Sequence, residues 1–423
     1  EGCLRQTWMR IASLLLVALV AICRVQPIHS FSSVSSFVSV RPSARERHFG
    51  ASAAAPFPPL VAGLRLPKRS EGLNSQHSGR RRVVSGYQGG KMQVDASGER
   101  KGKVCVVGSI NFDQTVYVPS MPLPGQTLHG TLYTTGFGGK GANQCVMAAL
   151  MGAKTSMVGM LGSDDIATFT RTHLEAAGVD CKHVGTAPGA SGVAAITVSA
   201  DGENHIVIVP GSNLLVTAAS IKEAEGDIQG SSVLLLQNEI PPATTLAAMR
   251  CGKGKGPFVI LNAAPAPSVG ERWQEGQWGD IGEMLGACDL LCINESETAA
   301  LTGVKVAEGD GFEDSLREAA KKVASLGCPR VIFTLGGAGS CLVNEGGEVT
   351  MVPLVDKPDK VVDTTGAGDS YLGALAAYLS CGVPLSEAMS KAGRIAAISV
   401  TGAGAQTSYP KGDAVPSELR LPK

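Results

Sequence analysis

Short apolar runs alternate with stretches of helical spacing, and this alternation restricts the possible fold more than any other feature of the sequence. The runs cover residues 104–110, 155–160, 233–236, 258–261, 290–293 and 331–335. They are as short and as apolar as strands that are buried on both faces. Between the last two runs, residues 312–326 place apolar side chains at helix spacing. The pattern predicts an α/β protein whose mostly parallel sheet is covered by helices.

Residues 193–199 and 205–209 do not fit this alternation. They flank Asp201-Gly202, a dipeptide that is typical of tight hairpin turns. The sequence therefore predicts a small separate β-sheet beside the main one.

Composition limits the classes of function. Hydrophobic residues make up 44% of the chain and charged residues 17%, which argues against a disordered body. Residues 1–91 hold 13 Lys or Arg and 3 Asp or Glu, whereas residues 92–423 hold 24 and 34. A mildly acidic body of about 330 residues indicates one large domain, and it argues against a nucleic-acid-binding protein.

The 11 cysteines are odd in number and irregularly spaced, and no Cys-x-x-Cys pair occurs. Cys288 and Cys292 have no second pair or nearby His that would complete a zinc site. We therefore expect reduced thiols, most of them in the core, and a reducing compartment.

The first hundred residues have the composition of a targeting sequence. Residues 1–30 combine Arg5 and Arg10 with a 13-residue apolar run, as in a signal peptide, and residues 31–100 have the Ser, Ala and Arg content of a disordered transit peptide. The two in series predict import into a plastid, whereas translation from Met92 would give a cytoplasmic protein. No apolar run in the body reaches the length of a membrane span, so we expect no membrane association of the mature form.

The strongest chemical signal is Asp363-Thr364-Thr365-Gly366-Ala367-Gly368-Asp369, which directly precedes a predicted helix. Glycines before a helix leave backbone N–H groups free to bind an anion, and the helix dipole strengthens that binding. Asp369 either caps the helix or accepts a proton from a hydroxyl group that attacks a phosphate. The residues alone favour neither role.

A second signal is the stretch from Gly138 to Asn143, Gly-Gly-Lys-Gly-Ala-Asn. It matches the dinucleotide fingerprint poorly, since no core strand precedes it, and it fails the P-loop pattern, since Gly141 follows Lys140. What remains is a flexible backbone with one Lys and one Asn that can donate to hydroxyls or phosphate; a plain turn at a helix start is the alternative.

Polar or glycine-rich clusters follow four of the predicted strands. Asn111 and Asp113 follow the first, and Glu239 follows the run at 233–236. Asn294 and Glu297 follow the run at 290–293, where they suit either a hydrated Mg²⁺ or helix capping. The fourth cluster is the turn Leu335-Gly336-Gly337-Ala338-Gly339 after Thr334. Because the carboxyl ends of parallel strands share one edge, we expect these groups to converge there.

Taken together, these motifs resemble the PfkB carbohydrate kinases, in particular their ribokinase branch. The resemblance runs from about residue 104 to residue 410. It rests on the motifs above and on Gly202-Glu203-Asn204, Asn262-Ala263-Ala264-Pro265-Ala266 and Gly404-Ala405-Gln406-Thr407-Ser408. It implies a three-layer ribokinase-like fold with a small β-sheet lid from residues 114–136 and 193–209. It also implies ATP-dependent phosphorylation of the 5-hydroxyl of D-ribose and a homodimer formed through the lid.

The resemblance further implies roles for individual residues. Asp369 matches the catalytic base, and Gly366, Ala367 and Gly368 match the anion hole. The positions that match the sugar site are Asn111, Asp113, Gly139, Lys140, Gly141, Ala142, Asn143, Glu239 and Asp369 itself. The positions that match the ATP site are Asn294, Thr334, Leu335, Gly336, Gly337, Ala338, Gly339 and Gly368. Glu297 matches the acid of the Mg²⁺ region, and the loops that hold an activating K⁺ are matched by Asp363, Thr365, Ser399, Gly402, Gly404 and Ser408.

Two departures and two alternatives accompany this assignment. Gly393 stands where many relatives have Asn or His near the adenine, and Gln126 replaces a Glu of the lid. Another PfkB kinase, specific for fructose or a nucleoside, is one alternative function. A non-catalytic plastid protein of the same fold is the other, although the intact Asp363 and Asp369 disfavour it.

Overall fold

The computed structural model describes residues 102–266 and 281–422. The signal-peptide-like and transit-peptide-like segments, and Met92, lie outside these residues. Among the helices described, none combines the length and the hydropathy that a membrane span requires.

The described residues form a large and a small sheet. In chain order the strands are β1 (Lys103–Val107), β2 (Asn111–Val118), β3 (Leu132–Gly138), β4 (Lys154–Leu161), β5 (Val179–Thr186), β6 (Gly192–Ser199), β7 (Asn204–Val209), β8 (Val233–Leu236), β9 (Phe258–Asn262), β10 (Leu290–Asn294), β11 (Arg330–Thr334), β12 (Gly339–Asn344) and β13 (Val349–Pro353). The larger sheet has the order β13-β12-β11-β10-β9-β8-β1-β4-β5. Its pairs are parallel from β5 through β11, so the carboxyl ends of these strands share one edge.

Helices connect these strands. They are α1 (Lys140–Leu150), α2 (Asp165–Ala176), α3 (Ala218–Glu223), α4 (Glu225–Gln229), α5 (Pro242–Gly252), α6 (Ile281–Ala287), α7 (Glu295–Thr302), α8 (Phe312–Ser325), α9 (Ala367–Ser380) and α10 (Leu385–Ser399). The predicted α/β class, with a mostly parallel sheet, is confirmed.

The core lies on both faces of the large sheet. Side chains alternate along β1, so Val104 and Val106 pack into one cluster with α1, α9 and α10, whereas Cys105 and Val107 pack into the other with α5 and α8. All four are fully buried. This alternation gives the three layers that were predicted.

The cysteines contribute to the core as reduced thiols. All nine cysteines in the part of the chain that the structure covers are free, and all but Cys251 are buried. Burial in apolar surroundings raises the pKa of the Cys105 thiol far above its ordinary value, so it stays protonated.

The small sheet has the order β3-β2-β6-β7, with a parallel pair β2–β6 between two antiparallel pairs. Its hairpin turns at Gly202, whose φ of 88° suits glycine. The predicted separate sheet is confirmed, with strands that begin at Asn111 and Gly192, slightly earlier than expected. We call this sheet the lid.

The sequence did not predict the antiparallel edge of the large sheet. After β11 the chain turns back as β12 and then β13, which are joined by a turn where Gly347 has a φ of 74°. These strands mix polar and apolar residues, so the search for apolar runs passed over them.

Helices α1 and α9 cross at close range because α9 has a glycine at the contact. A Cβ at Gly373 would lie 2.4 Å from the carbonyl oxygen of Gln144 and 2.7 Å from Cβ of Met147. These approaches are too short for any larger residue unless the helices move apart. Gly373 therefore sets the separation of the helices that carry Asn143, Gln144 and Asp369.

We predict that Gly373→Ala lowers the free energy of unfolding by about 1–3 kcal/mol, because the added methyl overpacks the crossing. Denaturant unfolding measures the effect. The matched control is Gly226→Ala in α4, where a Cβ would have no neighbour within 4 Å. Equal stability of both variants would contradict the role of Gly373.

Candidate active site

Asp369 is a buried carboxylate that two amides hold in place. It is the third residue of α9 and is 8% exposed. Its Oδ2 accepts a hydrogen bond from Nδ2 of Asn143 (2.9 Å), and its Oδ1 accepts one from Nε2 of Gln144 (2.8 Å). The N-cap position belongs to Gly366, so Asp369 does not cap the helix. Of the two roles left open, the geometry favours the proton acceptor.

The turn before α9 brings free backbone amides next to this carboxylate. Gly366 has a φ of 73°, and a Cβ there would lie 2.7 Å from Cβ of Ala405. A Cβ at Gly368 would meet nothing within 4 Å, so this residue borders open space. The N–H of Ala367 donates to the carbonyl oxygen of Thr364 (3.2 Å). The helix N-terminus can receive an anion there, mainly through Gly366 and Gly368.

A network of buried amides extends from the carboxylate in two directions. Gln144 accepts from Nε2 of Gln237 (2.6 Å), and its own Nε2 also donates to Oδ1 of Asn262 (3.2 Å). On the other side, Nε2 of Gln406 donates to Oδ1 of Asn143 (2.8 Å). The sequence analysis gave no role to Gln144, Gln237, Asn262 or Gln406. The sequence does contain a signal at Gln237, which is a polar residue directly after an apolar strand.

Glycines allow the start of α1 to approach the loop after β1. Gly139 has a φ of 85°, and a Cβ there would lie 2.6 Å from the amide nitrogen of Asn111. A Cβ at Gly141 would lie 2.6 Å from the amide nitrogen of Ser109. Of the predicted sugar-binding positions, Gly139 therefore lies against Asn111, and Gly141 lies against Ser109.

Glu239, which follows β8, forms hydrogen bonds with both the loop after β1 and the start of α1. Its Oε2 accepts from Oγ of Ser109 (2.5 Å) and from the backbone N–H of Lys140 (3.0 Å). Oε1 has no hydrogen-bond partner within residues 102–266 and 281–422. One oxygen of Glu239 is thus structural, and the other can accept from a ligand.

Asn111 and Asp113 begin the first lid strand. Oδ1 of Asn111 accepts from Nδ2 of Asn213 (2.7 Å), and Oδ1 of Asn213 accepts from the N–H of Ile110 (2.9 Å). No motif in the sequence points to Asn213. Asn111 and Glu239 line a cavity of about 520 Å³ that lies partly under Ile208 of the lid.

Several acidic side chains surround Lys140 in this region. Burial, and then the charges of Glu239 and Asp369, raise the pKa of Asp113 to about 6. Burial alone would lower the pKa of Lys140, but the charges of Asp369, Glu239 and Glu297 raise it above its ordinary value. Lys140 therefore stays a cation among the acids.

The predicted nucleotide positions lie farther along the same edge of the sheet. After Thr334 the chain forms a short 3-10 turn, Gly336–Ala338, which is exposed. A Cβ at Gly336 or Gly337 would meet nothing within 4 Å, so both glycines border open space. Leu335 is buried and anchors the turn, and Gly339, with φ 105°, ends it.

Asn294 and Glu297 form a capping box at the start of α7. Oδ1 of Asn294 accepts from the N–H of Glu297 (2.8 Å), and Oε2 of Glu297 accepts from the N–H of Asn294 (2.9 Å). The capping alternative is therefore realised. The capping box does not use Oε1 of Glu297. Burial raises the pKa of the Glu297 carboxyl above its ordinary value.

Asp363 links the two loops that were predicted to hold K⁺. Its Oδ1 accepts from the N–H of Thr365 (2.9 Å), and its Oδ2 accepts from the N–H of Gly404 (2.8 Å). A Cβ at Gly402 would lie 3.0 Å from Cβ of Ser408, so these residues are adjacent. Ser399 is buried at the end of α10, and the N–H of Gly402 donates to its carbonyl oxygen (3.3 Å). Asp363, Thr365, Ser399 and Ser408 carry side-chain oxygen atoms, the ligand type that suits K⁺.

Comparison with known proteins agrees with this geometry. The pfkB family carbohydrate kinase model matches residues 101–412. A ribokinase of Mus musculus is 36% identical over 74% of this chain and 93% of its own length. A deoxyribokinase of Salmonella typhi is also 36% identical, over 73% of this chain and 95% of its own length.

A solved structure has the same fold. The Arabidopsis thaliana ribokinase complexed with ribose and ATP superposes with a TM-score of 0.66 at 28% identity, covering 76% of this chain and 99% of that one. The family model alone spans well over half of the sequence. The chain is therefore a member of the pfkB family of carbohydrate kinases.

Proposed function

We propose that the protein transfers the γ-phosphoryl group of ATP to the 5-hydroxyl of D-ribose. The observation that carries the proposal is the carboxylate of Asp369, fixed by Asn143 and Gln144 beside the open N-terminus of α9. A base and an anion site at one point are what phosphoryl transfer to an alcohol needs. The ribokinase relatives support this activity.

The side chains around Glu239 and Asp113 include donors and acceptors for a small sugar. Asp113 and Oε1 of Glu239 can accept hydrogen bonds from sugar hydroxyls. Nδ2 of Asn111 and Nζ of Lys140 can donate, since neither atom has a hydrogen-bond or ion-pair partner in the part of the chain described. Acids and amides at successive strand ends suit the several hydroxyls of a pentose.

2-Deoxyribose is the second candidate substrate. The deoxyribokinase of Salmonella typhi is as similar to the chain as the mouse ribokinase is. The two sugars differ by one hydroxyl, so only direct comparison of both sugars assigns the preference.

In the proposed reaction, Asp369 accepts the proton of the 5-hydroxyl while that oxygen attacks the γ-phosphorus. The bond to the β-phosphate oxygen breaks, and ADP leaves. The amides of Gly366 and Gly368 stabilise the negative charge on the transferring group. The open turn at Gly336–Ala338 and Asn294 contact the nucleotide. Most of the rate enhancement comes from position and electrostatics.

The residues present fit the two cations that the family resemblance implies. Oε1 of Glu297 would contribute to Mg²⁺ binding, since Mg²⁺ commonly uses one carboxylate together with substrate phosphates. K⁺ would lie between the loops joined by Asp363, with oxygens of Thr365, Ser399, Gly402, Gly404 and Ser408 nearby. Mg²⁺ would neutralise phosphate charge, and K⁺ would order the turn that carries the anion site.

We predict that the full chain releases ADP in the presence of Mg-ATP, K⁺ and ribose, and that Asp369→Asn lowers kcat at least about a hundredfold. The amide keeps the size of the side chain but cannot accept the proton. Ribose, 2-deoxyribose, fructose and adenosine are compared in a coupled ADP assay.

Thr172→Ala, an exposed change on α2, is the matched control and should retain wild-type turnover. If the protein turned over fructose or adenosine but not ribose, that compound would be the substrate in place of ribose. A folded protein that is inactive on every substrate would favour the non-catalytic alternative. Near-normal turnover of Asp369→Asn would remove Asp369 from its role.

The raised pKa of Asp113 predicts a pH dependence of sugar binding. The carboxylate is ionised above its pKa of about 6 and becomes protonated as the pH falls below it. We expect kcat/KM for the sugar to fall about tenfold per pH unit below pH 6, because only the ionised form accepts from two hydroxyls. Initial rates from pH 4.5 to 8 measure the effect.

Asp113→Asn is the control for this dependence. The variant should have a raised KM for the sugar and should lose the inflection near pH 6. An unchanged inflection would assign the titration to another group, with Glu297 as the next candidate because its pKa is also raised.

We also propose that two copies of the chain associate through the lid. The strand β7 lies at the edge of the lid sheet, and its residues Ile206–Val209 are 46–63% exposed. An exposed aliphatic edge strand is a ready surface for pairing. A second copy would cover it.

The expected mass in light scattering is that of a dimer, and Val207→Lys should shift it to a monomer. Val355→Lys, at an exposed aliphatic residue outside the lid, should leave the dimer intact. A wild-type monomer at micromolar concentration would refute association through the lid.

A further inference from the structure

We infer that His173 is a positioning residue for Asp369 that acts through Gln406 and Asn143. The inference rests on the proposed function, because it concerns the orientation of the base in that reaction. His173 lies on α2, far in sequence from every predicted site residue. No motif pointed to it, and no part of the sugar, nucleotide or cation sites described above uses it.

The hydrogen bonds from Asp369 to His173 have only one consistent direction. A carboxylate can only accept, so Asn143 must present its Nδ2 to Asp369, which leaves its Oδ1 toward Gln406. Gln406 must then present its Nε2 to Asn143, which leaves its Oε1 toward His173. The ring Nε2 of His173 lies 2.8 Å from that Oε1 and must carry the proton. The imidazole is the terminal donor of the chain.

The imidazole ring packs against an aromatic residue of the lid. His173 stacks on Phe137 of β3, with ring centroids 3.8 Å apart and an interplanar angle of 9°. Phe137 in turn meets Phe112 of β2 edge to face at 5.8 Å. Burial lowers the pKa of His173 and outweighs the hydrogen bond with Gln406, which raises it, while the nearby charge of Lys411 lowers it further. The ring is therefore neutral at neutral pH, and a single tautomer donates.

The terminal donor matters because an amide has two nearly isosteric orientations. Without a proton on Nε2 of His173, Oε1 of Gln406 loses its partner, and rotation of its amide group is no longer opposed. Rotation of Gln406 would place its Oε1 against Oδ1 of Asn143, and Asn143 could relieve that contact only by turning Oδ1 toward Asp369, where two acceptors would face each other. His173 therefore reinforces the orientation of Asn143 that the carboxylate of Asp369 requires.

Two substitutions separate this role from simple packing. His173→Phe keeps a planar ring on Phe137 but removes the donor, so kcat should fall about five- to tenfold while KM for ATP stays unchanged. His173→Gln loses the stacking but keeps an N–H at the position of Nε2, so it should retain kcat within about twofold of wild type. Thr172→Ala on the same helix is the neighbouring control.

A purely structural role gives the opposite order. His173→Phe would then resemble wild type, His173→Gln would be the impaired and less stable variant, and the inference would be wrong. Gln406→Glu provides a second, independent variant, because its carboxylate cannot donate to Asn143. It should lower kcat at least as much as His173→Phe, and wild-type kcat in this variant would also refute the inference.

The tautomer of His173 can be measured without an activity assay. Nitrogen-15 chemical shifts of the full chain, with the His173 signal assigned by its loss in His173→Gln, should report a proton on Nε2 at pH 7.5. A proton on Nδ1 would overturn the inference even if the enzyme is active. Conversely, an inactive wild-type protein with the Nε2–H tautomer would refute the proposed reaction and leave the hydrogen-bond chain intact.

Discussion

The carboxylate of Asp369 is the constraint on which the site depends. A buried charge requires compensation, and here both oxygens receive an amide N–H from adjacent residues of α1. Such geometry is possible only if α1 and α9 cross closely, and Gly373 permits that approach. The packing of the two helices therefore also determines the orientation of this buried carboxylate. The side-chain amides of Gln237, Asn262 and Gln406 extend this hydrogen-bond network into the surrounding core.

The parallel sheet supplies the remaining groups because its strands end at one edge. Asn111, Glu239, Asn294 and the turn after Thr334 follow β1, β8, β10 and β11, whose carboxyl ends lie along one edge of the sheet. Each group also has a local structural duty, as in the capping box of Asn294 and Glu297 or the contact of Glu239 with Ser109. In Glu239 and Glu297, one carboxylate oxygen has a structural role and the other is left for the proposed ligand. Capping by Glu297 therefore does not use up the whole carboxylate.

Much of the architecture could be predicted from the sequence, because apolar runs, helix spacing and the Asp201-Gly202 turn are local signals. The helix over residues 312–326 and the hairpin around Gly202 fall within one or two residues of prediction. The edge strands β12 and β13 were missed because Ser340, Asn344 and Thr350 bound or interrupt their apolar residues, which leaves only short apolar runs. Asn213 and His173 were missed for a different reason. Their roles arise from contacts across more than 100 residues, as between Asn213 and Ile110, and no local pattern records such a contact.

The division of residues between the two sheets has a consequence for how a substrate is received. Asn111 and Asp113 belong to the first strand of the lid rather than to the large sheet, whereas Asp369 belongs to the helical layer. Half of the proposed sugar contacts are therefore part of the element that covers the cavity. In the proposed reaction, displacement of that strand would dismantle the sugar site, and a sugar held by both Asp113 and Asp369 would connect the cover to the proposed base. Recognition of the sugar and exclusion of water would then be one event, which would protect ATP from hydrolysis when no sugar is present.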